Sequence, residues 1–177
     1  MKKTVLVLAA SVGLFAGCNF STSTNKETKE VNSTTGQGLT DAIIKNDIQA
    51  EASGVKVTAI YLVDDQNEPL KSNNVALNQE ISCRVELDTG WTKVDGKSWV
   101  GISEQIQSGS GKIVLDAADL LSDYDSTGVA GEDAEVLSAS ATITQLEEGV
   151  SDYIIHFRMW DKKGKGEVKG SYTLIVK

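Results

Sequence analysis

The densest group of oxygen-bearing side chains lies in the acidic stretch from Asp116 to Glu135. Within it, Asp123, Asp125 and Thr127 occupy every second position, as the first ligands of a calcium-binding loop do. Carboxylate and hydroxyl oxygens are the ligands that a hard cation such as Ca²⁺ prefers. The twelfth position of such a loop would be Ala134, where a bidentate Glu is needed. Two interpretations follow: a loop calcium site, or a solvated loop between strands with one helical turn.

Two tryptophans, Trp91 and Trp99, flank the turn signal Asp95-Gly96. A two-residue hairpin loop pairs Thr92 with Trp99 and places the indoles on opposite faces, whereas a three-residue loop places both on one face. Two indoles on one face would form a stacking platform for a glycan. Because Asp-Gly favours the two-residue loop, the sequence favours Trp99 in the core and Trp91 at the rim.

Side chains suited to catalysis are few. His156 is the sole histidine, which leaves one candidate imidazole base and no set of histidine metal ligands. It alternates with Arg158 and Trp160, a pattern typical of a histidine on the face of a sheet. No Gly-rich phosphate loop, G-x-S-x-G sequence or CxxC pair is found. The sequence predicts a non-enzymatic protein, with a hydrolase that uses two of its 25 acidic residues as the less favoured alternative.

The charge balance excludes a default role in nucleic-acid binding. The chain has 17 Lys and Arg against 25 Asp and Glu, a net charge of −8, whereas a phosphate-binding surface needs a basic excess. A small basic group, Lys162, Lys163 and Lys165, lies in a Gly-containing turn. These lysines are either solvated or available to an anionic envelope partner.

Residues 1–17 have the composition of an export signal. Lys2 and Lys3 form a positive start, and Thr4 to Phe15 is an uncharged apolar run that is too short to span a membrane as a helix. The small residues Ala16 and Gly17 then stand immediately before Cys18. The sequence Phe15-Ala16-Gly17-Cys18 resembles the lipobox of bacterial lipoproteins, although the commonest lipobox has Leu where this chain has Phe15.

The resemblance implies cleavage before Cys18, diacylation of its sulfur and acylation of the new amine. Three acyl chains would hold the protein on a membrane far more firmly than one. Asn19 in place of Asp implies, by the sorting pattern of Gram-negative lipoproteins, anchoring in the outer membrane. Residues 18–177 keep 15 of the 17 basic residues and all 25 acidic ones, a net charge of −10, so the anchor should be the lipid and not the protein surface.

The chain after the signal divides into three parts. Residues 18–38 are rich in Ser, Thr, Asn and Lys and predict a disordered tether that carries the lipidated Cys18. Residues 39–54 place Ile43, Ile44 and Ile48 at helical spacing and predict one short amphipathic helix or linker.

Residues 55–177 change to a period of two and contain Cys83, which has no intrachain disulfide partner if Cys18 is acylated. We expect Cys83 to be buried on the apolar face of its strand.

About seven short alternating segments separated by turn signals predict an antiparallel, immunoglobulin-like β-sandwich, with a final hairpin across Asp161 to Glu167. The expected role is a binding or interaction module for an envelope protein or glycan, with a carbohydrate- or calcium-dependent ligand as the alternative. The predicted segments are 55–63, 81–87, 99–107, 113–115, 137–143, 153–160 and 168–176.

Overall fold

The computed structural model describes residues 37–177, which form an all-β fold. Among them, no helix is long and apolar enough to cross a membrane. The predicted signal at 1–17, Cys18 and residues 19–36 of the predicted tether lie outside the described residues. The strands are β1 (Ile43–Ile44), β2 (Gln49–Ser53), β3 (Lys56–Asp64), β4 (Asn74–Val75), β5 (Glu80–Thr89), β6 (Lys93–Val94), β7 (Lys97–Ser98), β8 (Val100–Ser108), β9 (Ile113–Ala117), β10 (Val129–Ala130), β11 (Val136–Thr142), β12 (Asp152–Asp161) and β13 (Glu167–Val176). Single 3-10 turns lie at Gln37–Leu39, Ser122–Tyr124 and Asp133–Glu135.

These strands form three sheets within the described residues. The six-strand sheet has the antiparallel order β2-β13-β12-β8-β9, and the short strand β4 joins β13 in parallel. The four-strand sheet has the order β1-β3-β5-β11 and is antiparallel except for the β1–β3 pair. A small third sheet has the order β10-β7-β6. The predicted all-β class with antiparallel sheets is therefore confirmed.

The inward side chains of the two larger sheets belong to one hydrophobic core. Because successive side chains of a strand point to opposite faces, the alternating sequence of each long strand supplies one apolar face. Strand β5 buries Ile81, Cys83 and Val85, and strand β12 buries Ile155 and Met159. Cys83 is 0% exposed, which confirms its predicted burial.

The seven predicted segments overlap seven of the thirteen strands in residues 37–177, namely β3, β5, β8, β9, β11, β12 and β13. The other six strands, β1, β2, β4, β6, β7 and β10, are additional to the seven predicted segments. The C-terminal hairpin is also confirmed, because β12 and β13 pair in register from Asp152 with Ile175 to Trp160 with Glu167.

The predicted helix over 39–54 is wrong. These residues form the 3-10 turn at Gln37–Leu39 and the strands β1 and β2 instead. Asn46 and Asp47 adopt positive φ angles of 60° and 51°, a left-handed conformation that short polar residues tolerate and that ends any helix. Beyond them, Ala50 and Ala52 are buried while their neighbours are exposed, which is the period of a strand. The three isoleucines matched helical spacing, but the alternation after Ile48 decided the local structure.

Asp161 joins the end of β12 to the segment that carries Trp91. Its carboxylate is buried and accepts the backbone N–H of Thr92 at Oδ2 (2.7 Å) and that of Lys163 at Oδ1 (2.8 Å). A buried carboxylate that accepts two N–H groups satisfies donors that would otherwise have lost their water. This side chain therefore fixes the loop after β12 against the loop after β5.

We expect Asp161→Ala to lower the free energy of unfolding by about 2–3 kcal/mol, because two N–H groups lose their acceptor. Urea unfolding of the variant and the parent chain measures this difference. Asp65→Ala, at an exposed turn position, is the control and should change stability by less than about 0.5 kcal/mol. Equal urea midpoints for Asp161→Ala and the parent chain would show that this carboxylate does not hold the loops together.

Candidate functional site

A groove of about 580 Å³ lies on the outward face of the six-strand sheet. Five strands contribute to its lining, namely β2, β13, β12, β8 and β9. Its volume is within the range typical of sites for small molecules. The groove is therefore the first candidate for a binding site in the described part of the chain.

Strand register places one polar residue from each of these five strands in a line across the groove. Neighbouring strands lie about 4.8 Å apart, so the line spans roughly 19 Å. The two ends and the centre are exposed, and the other two positions are half-buried. We call this line the polar row, and it consists of Gln49, Ser171, His156, Gln105 and Asp116 in spatial order.

Charged side chains beside the polar row occur in neutralising pairs. Lys169 Nζ lies 3.1 Å from Glu51 Oε2, and Arg158 Nη2 lies 2.6 Å from Glu167 Oε2. Arg158 Nε also donates to Glu167 Oε2 at 2.7 Å. The two basic side chains nearest the row therefore already have acidic partners.

The tryptophan on this face packs against the sheet itself. Trp160 lies directly opposite Gly101 on β8, and a β-carbon at Gly101 would collide with the indole ring. The guanidinium carbon of Arg158 lies 4.8 Å from the centroid of the ring. Trp160 therefore has a packing role on the sheet.

A buried polar cluster lies in the core between the two larger sheets and consists of Glu104 on β8, Tyr172 on β13 and Cys83 on β5. Glu104 is 2% exposed, and its two carboxylate oxygens and the Tyr172 hydroxyl find no hydrogen-bond partner among the described residues. Burial raises the pKa of Glu104 to about 8. Burial and the neighbouring Glu104 also raise the pKa values of the Cys83 thiol and the Tyr172 hydroxyl, so the three groups are uncharged at neutral pH.

The loop residues predicted to hold calcium do not come together as a ligand set. Asp125 forms an ion pair with Lys162, whose Nζ also lies 2.6 Å from Asp119 Oδ2. Asp123 is exposed, and the Thr127 hydroxyl donates to the carbonyl of Gly128 at 3.3 Å. Within residues 37–177, no group of three or more His, Cys, Asp and Glu side chains could hold a metal ion. The Lys162 ammonium is thus already paired with Asp125, one of the three predicted calcium ligands.

The predicted two-residue turn is confirmed. Val94 pairs with Lys97, and the positive φ angles of Asp95 (51°) and Gly96 (75°) are those of a tight hairpin turn. The positions predicted for the two indoles, however, are reversed.

Trp91 is buried, with 7% exposed, and its Nε1 donates to the carbonyl of Ala134 at 2.8 Å. Trp99 is only half-buried, and Lys163 Nζ lies 3.1 Å from the centroid of its ring. The burial of Trp91 comes from residues that are distant in sequence, such as Ala134 and Gly166. The local alternation of apolar residues cannot predict such contacts. The two indoles therefore do not form a glycan platform.

Sequence reasoning identified His156 as a residue on a sheet face, where the structure finds it exposed, but it missed the other members of the polar row. Gln49 was assigned to the predicted helix, and Ser171 and Gln105 have no chemical signature of their own. The hairpins β8–β9 and β12–β13 each bring two row residues together, and the pairing of β8 with β12 and of β2 with β13, strands far apart in sequence, joins all five into one row. Knowing which positions face outward would have provided the candidates, but not the row.

Neither a protein-family model nor a curated protein matches this sequence. Among solved structures, the fold is similar to one described as the crystal structure of the C-terminal domain of wzt. The two chains share 13% sequence identity with a TM-score of 0.48, over 79% of this chain and 84% of that one. A likeness at this level carries no argument about function.

We expect Glu104→Gln to stabilise the protein at alkaline pH. Below pH 4.5 the Glu104 carboxyl is protonated in both states, whereas between pH 4.5 and 8 the unfolded chain ionises first and the folded state loses stability. The gain from the uncharged amide is therefore near zero in acid and reaches at most about 5 kcal/mol above pH 8. Urea unfolding across this pH range measures it.

The control is Glu68→Gln, at an exposed turn position. Its stability should follow the parent chain at every pH. If Glu104→Gln also followed the parent chain across the range, the Glu104 carboxyl would not be the source of the pH dependence.

Proposed function

We propose that this protein is a lipid-anchored lipoprotein of the bacterial outer membrane whose β-domain is a non-catalytic binding module, and that the groove is its binding face. The observation that carries this proposal is the polar row, a line of hydrogen-bonding side chains in a groove of ligand size. The anchor is Cys18, by the lipobox resemblance. The partner is an envelope component, either a protein or a glycan.

We also propose that the domain is an immunoglobulin-like β-sandwich. Two mainly antiparallel sheets that share one hydrophobic core support this architecture. In such a domain, the outward face of one sheet is a rigid surface that is available to a partner.

The geometry of the groove favours binding over catalysis. Ser171 lies directly opposite His156, but Gln105 stands on the other side of His156, where a serine hydrolase needs a carboxylate to orient the imidazole. Glu51 and Asp116, the acidic residues whose side chains face the groove, lie at opposite edges of the sheet, roughly 19 Å apart. Glycoside hydrolases hold their two carboxyl groups within about 10 Å.

Replacing Cys18 by Ala should release the protein from membranes, because the anchor is proposed to be the acyl chains and not the anionic surface of the domain. Fractionation of cells that produce the full chain, followed by immunodetection, measures this change. Ser21→Ala, just beyond the lipobox, is the control and should stay membrane-bound. Retention of Cys18→Ala in the membrane fraction would contradict the lipoprotein assignment.

Ser171→Tyr should abolish binding at the groove, because a phenol ring beside His156 would obstruct the polar row. The measurement uses the detergent-solubilised full chain and envelope material in two forms: a protease-treated glycan fraction and a periodate-treated protein fraction. Each is tested with calcium and with a chelator, and the same result is expected in both conditions.

The matched control is Ser138→Tyr, a half-buried serine on β11 of the four-strand sheet. It should bind as the parent chain does. Absence of binding to both fractions, or equal loss with the two tyrosine variants, would refute the groove as the binding face.

A further inference from the structure

Resting on the proposed function, we propose that the groove takes an uncharged glycan chain, and that the chain lies along the polar row across the strands of the six-strand sheet. Three features of the groove support this class of ligand: the hydrogen-bonding groups of the polar row, the charges beside the row, and the direction in which the row crosses the strands.

The polar row matches hydroxyl groups, because most of its side chains both donate and accept hydrogen bonds. An amide, a hydroxyl and a neutral imidazole each offer both functions, as a sugar hydroxyl does. Within residues 37–177, the side chains of Gln49, Ser171, His156 and Gln105 make no hydrogen bond to another residue, so they are available to a ligand. Asp116, at the end of the row, adds an acceptor.

The charges around the row argue against a charged ligand. Lys169 and Arg158 are already paired with Glu51 and Glu167, so an anionic polymer would have to compete with bound carboxylates. Such a polymer would also meet the carboxylate of Asp116 and the net negative charge of the chain. A cation would meet the ammonium and guanidinium groups instead. An uncharged ligand avoids both conflicts.

The direction of the row fits a chain molecule. Adjacent row residues are separated by one strand spacing of about 4.8 Å, which is comparable to the length of one sugar ring. The row continues across five strands and therefore presents a hydrogen-bonding group to each of several successive sugars. A compact small molecule would use only part of it.

Stacking contributes little to this site. Trp160 packs against Gly101 with the Arg158 guanidinium over its ring, and Trp91 is buried. The ligand is held mainly by hydrogen bonds, so removing one row side chain should have a large effect on affinity.

The test is a glycan array probed with the detergent-solubilised full chain, followed by calorimetric titration of the uncharged oligosaccharides that bind. We expect uncharged glycans of several sugars to bind, with affinity that changes less than about twofold between low and high salt. Gln105→Met keeps the volume of the side chain but removes its hydrogen bonds, and should weaken binding roughly tenfold. His156→Phe should have a similar effect.

Gln66→Met, at an exposed position in the turn after β3, is the matched control and should bind as the parent chain does. Binding confined to anionic glycans, or strong weakening by salt, would overturn the inference. So would binding of the periodate-treated protein fraction alone with loss in Ser171→Tyr, although that result would support the proposed function. Absence of binding to any glycan and to the protein fraction would refute both.

Discussion

The pairing of β12 on both sides is the constraint on which the rest of the domain depends. This strand pairs along its length with β8 and with β13, so its inward residues Ile155 and Met159 fix the core. Its outward residues His156 and Arg158 fix the groove by the same register. A slip of one residue would exchange the two faces. The groove therefore has the rigidity of the hydrophobic core and does not depend on the ordering of loops.

Strand β8 shows the cost of placing polar residues on both faces. Gln105 lies in the groove, while its neighbour Glu104 points into the core with both carboxylate oxygens unpartnered among the described residues. An apolar residue of similar size at position 104 would pack in the core without this desolvation cost. The buried Glu104 therefore makes the protein less stable than it would be with an apolar residue at this position. It also makes the stability of the protein depend on pH in the neutral range.

The sequence predicts the long strands well because a period of two is a local signal, and it predicts the two-residue turn because Asp-Gly has a specific backbone preference. It fails at 39–54, where three isoleucines match helical spacing and the positive φ angles of Asn46 and Asp47 depend on the fold. The buried Trp91 indole donates a hydrogen bond to the carbonyl of Ala134, 43 residues away along the chain, and a local pattern cannot predict such a contact. The polar row is partly non-local, because it needs the pairing of β8 with β12 and of β2 with β13 in addition to two hairpins, and its residues have no motif of their own. Local patterns therefore revealed the elements but not the site.

The burial of Cys83 gives this domain an internal reporter of its own opening. The thiol lies on β5 between Leu62 of β3 and Ala139 of β11, and the side chain is 0% exposed. A reagent can reach it only when the core between the two larger sheets opens. In a variant that lacks the thiol of Cys18, the other cysteine of the chain, the rate of thiol labelling reports this opening in the native protein. A single buried sulfur thus makes the cooperative opening of the fold measurable in the purified full chain.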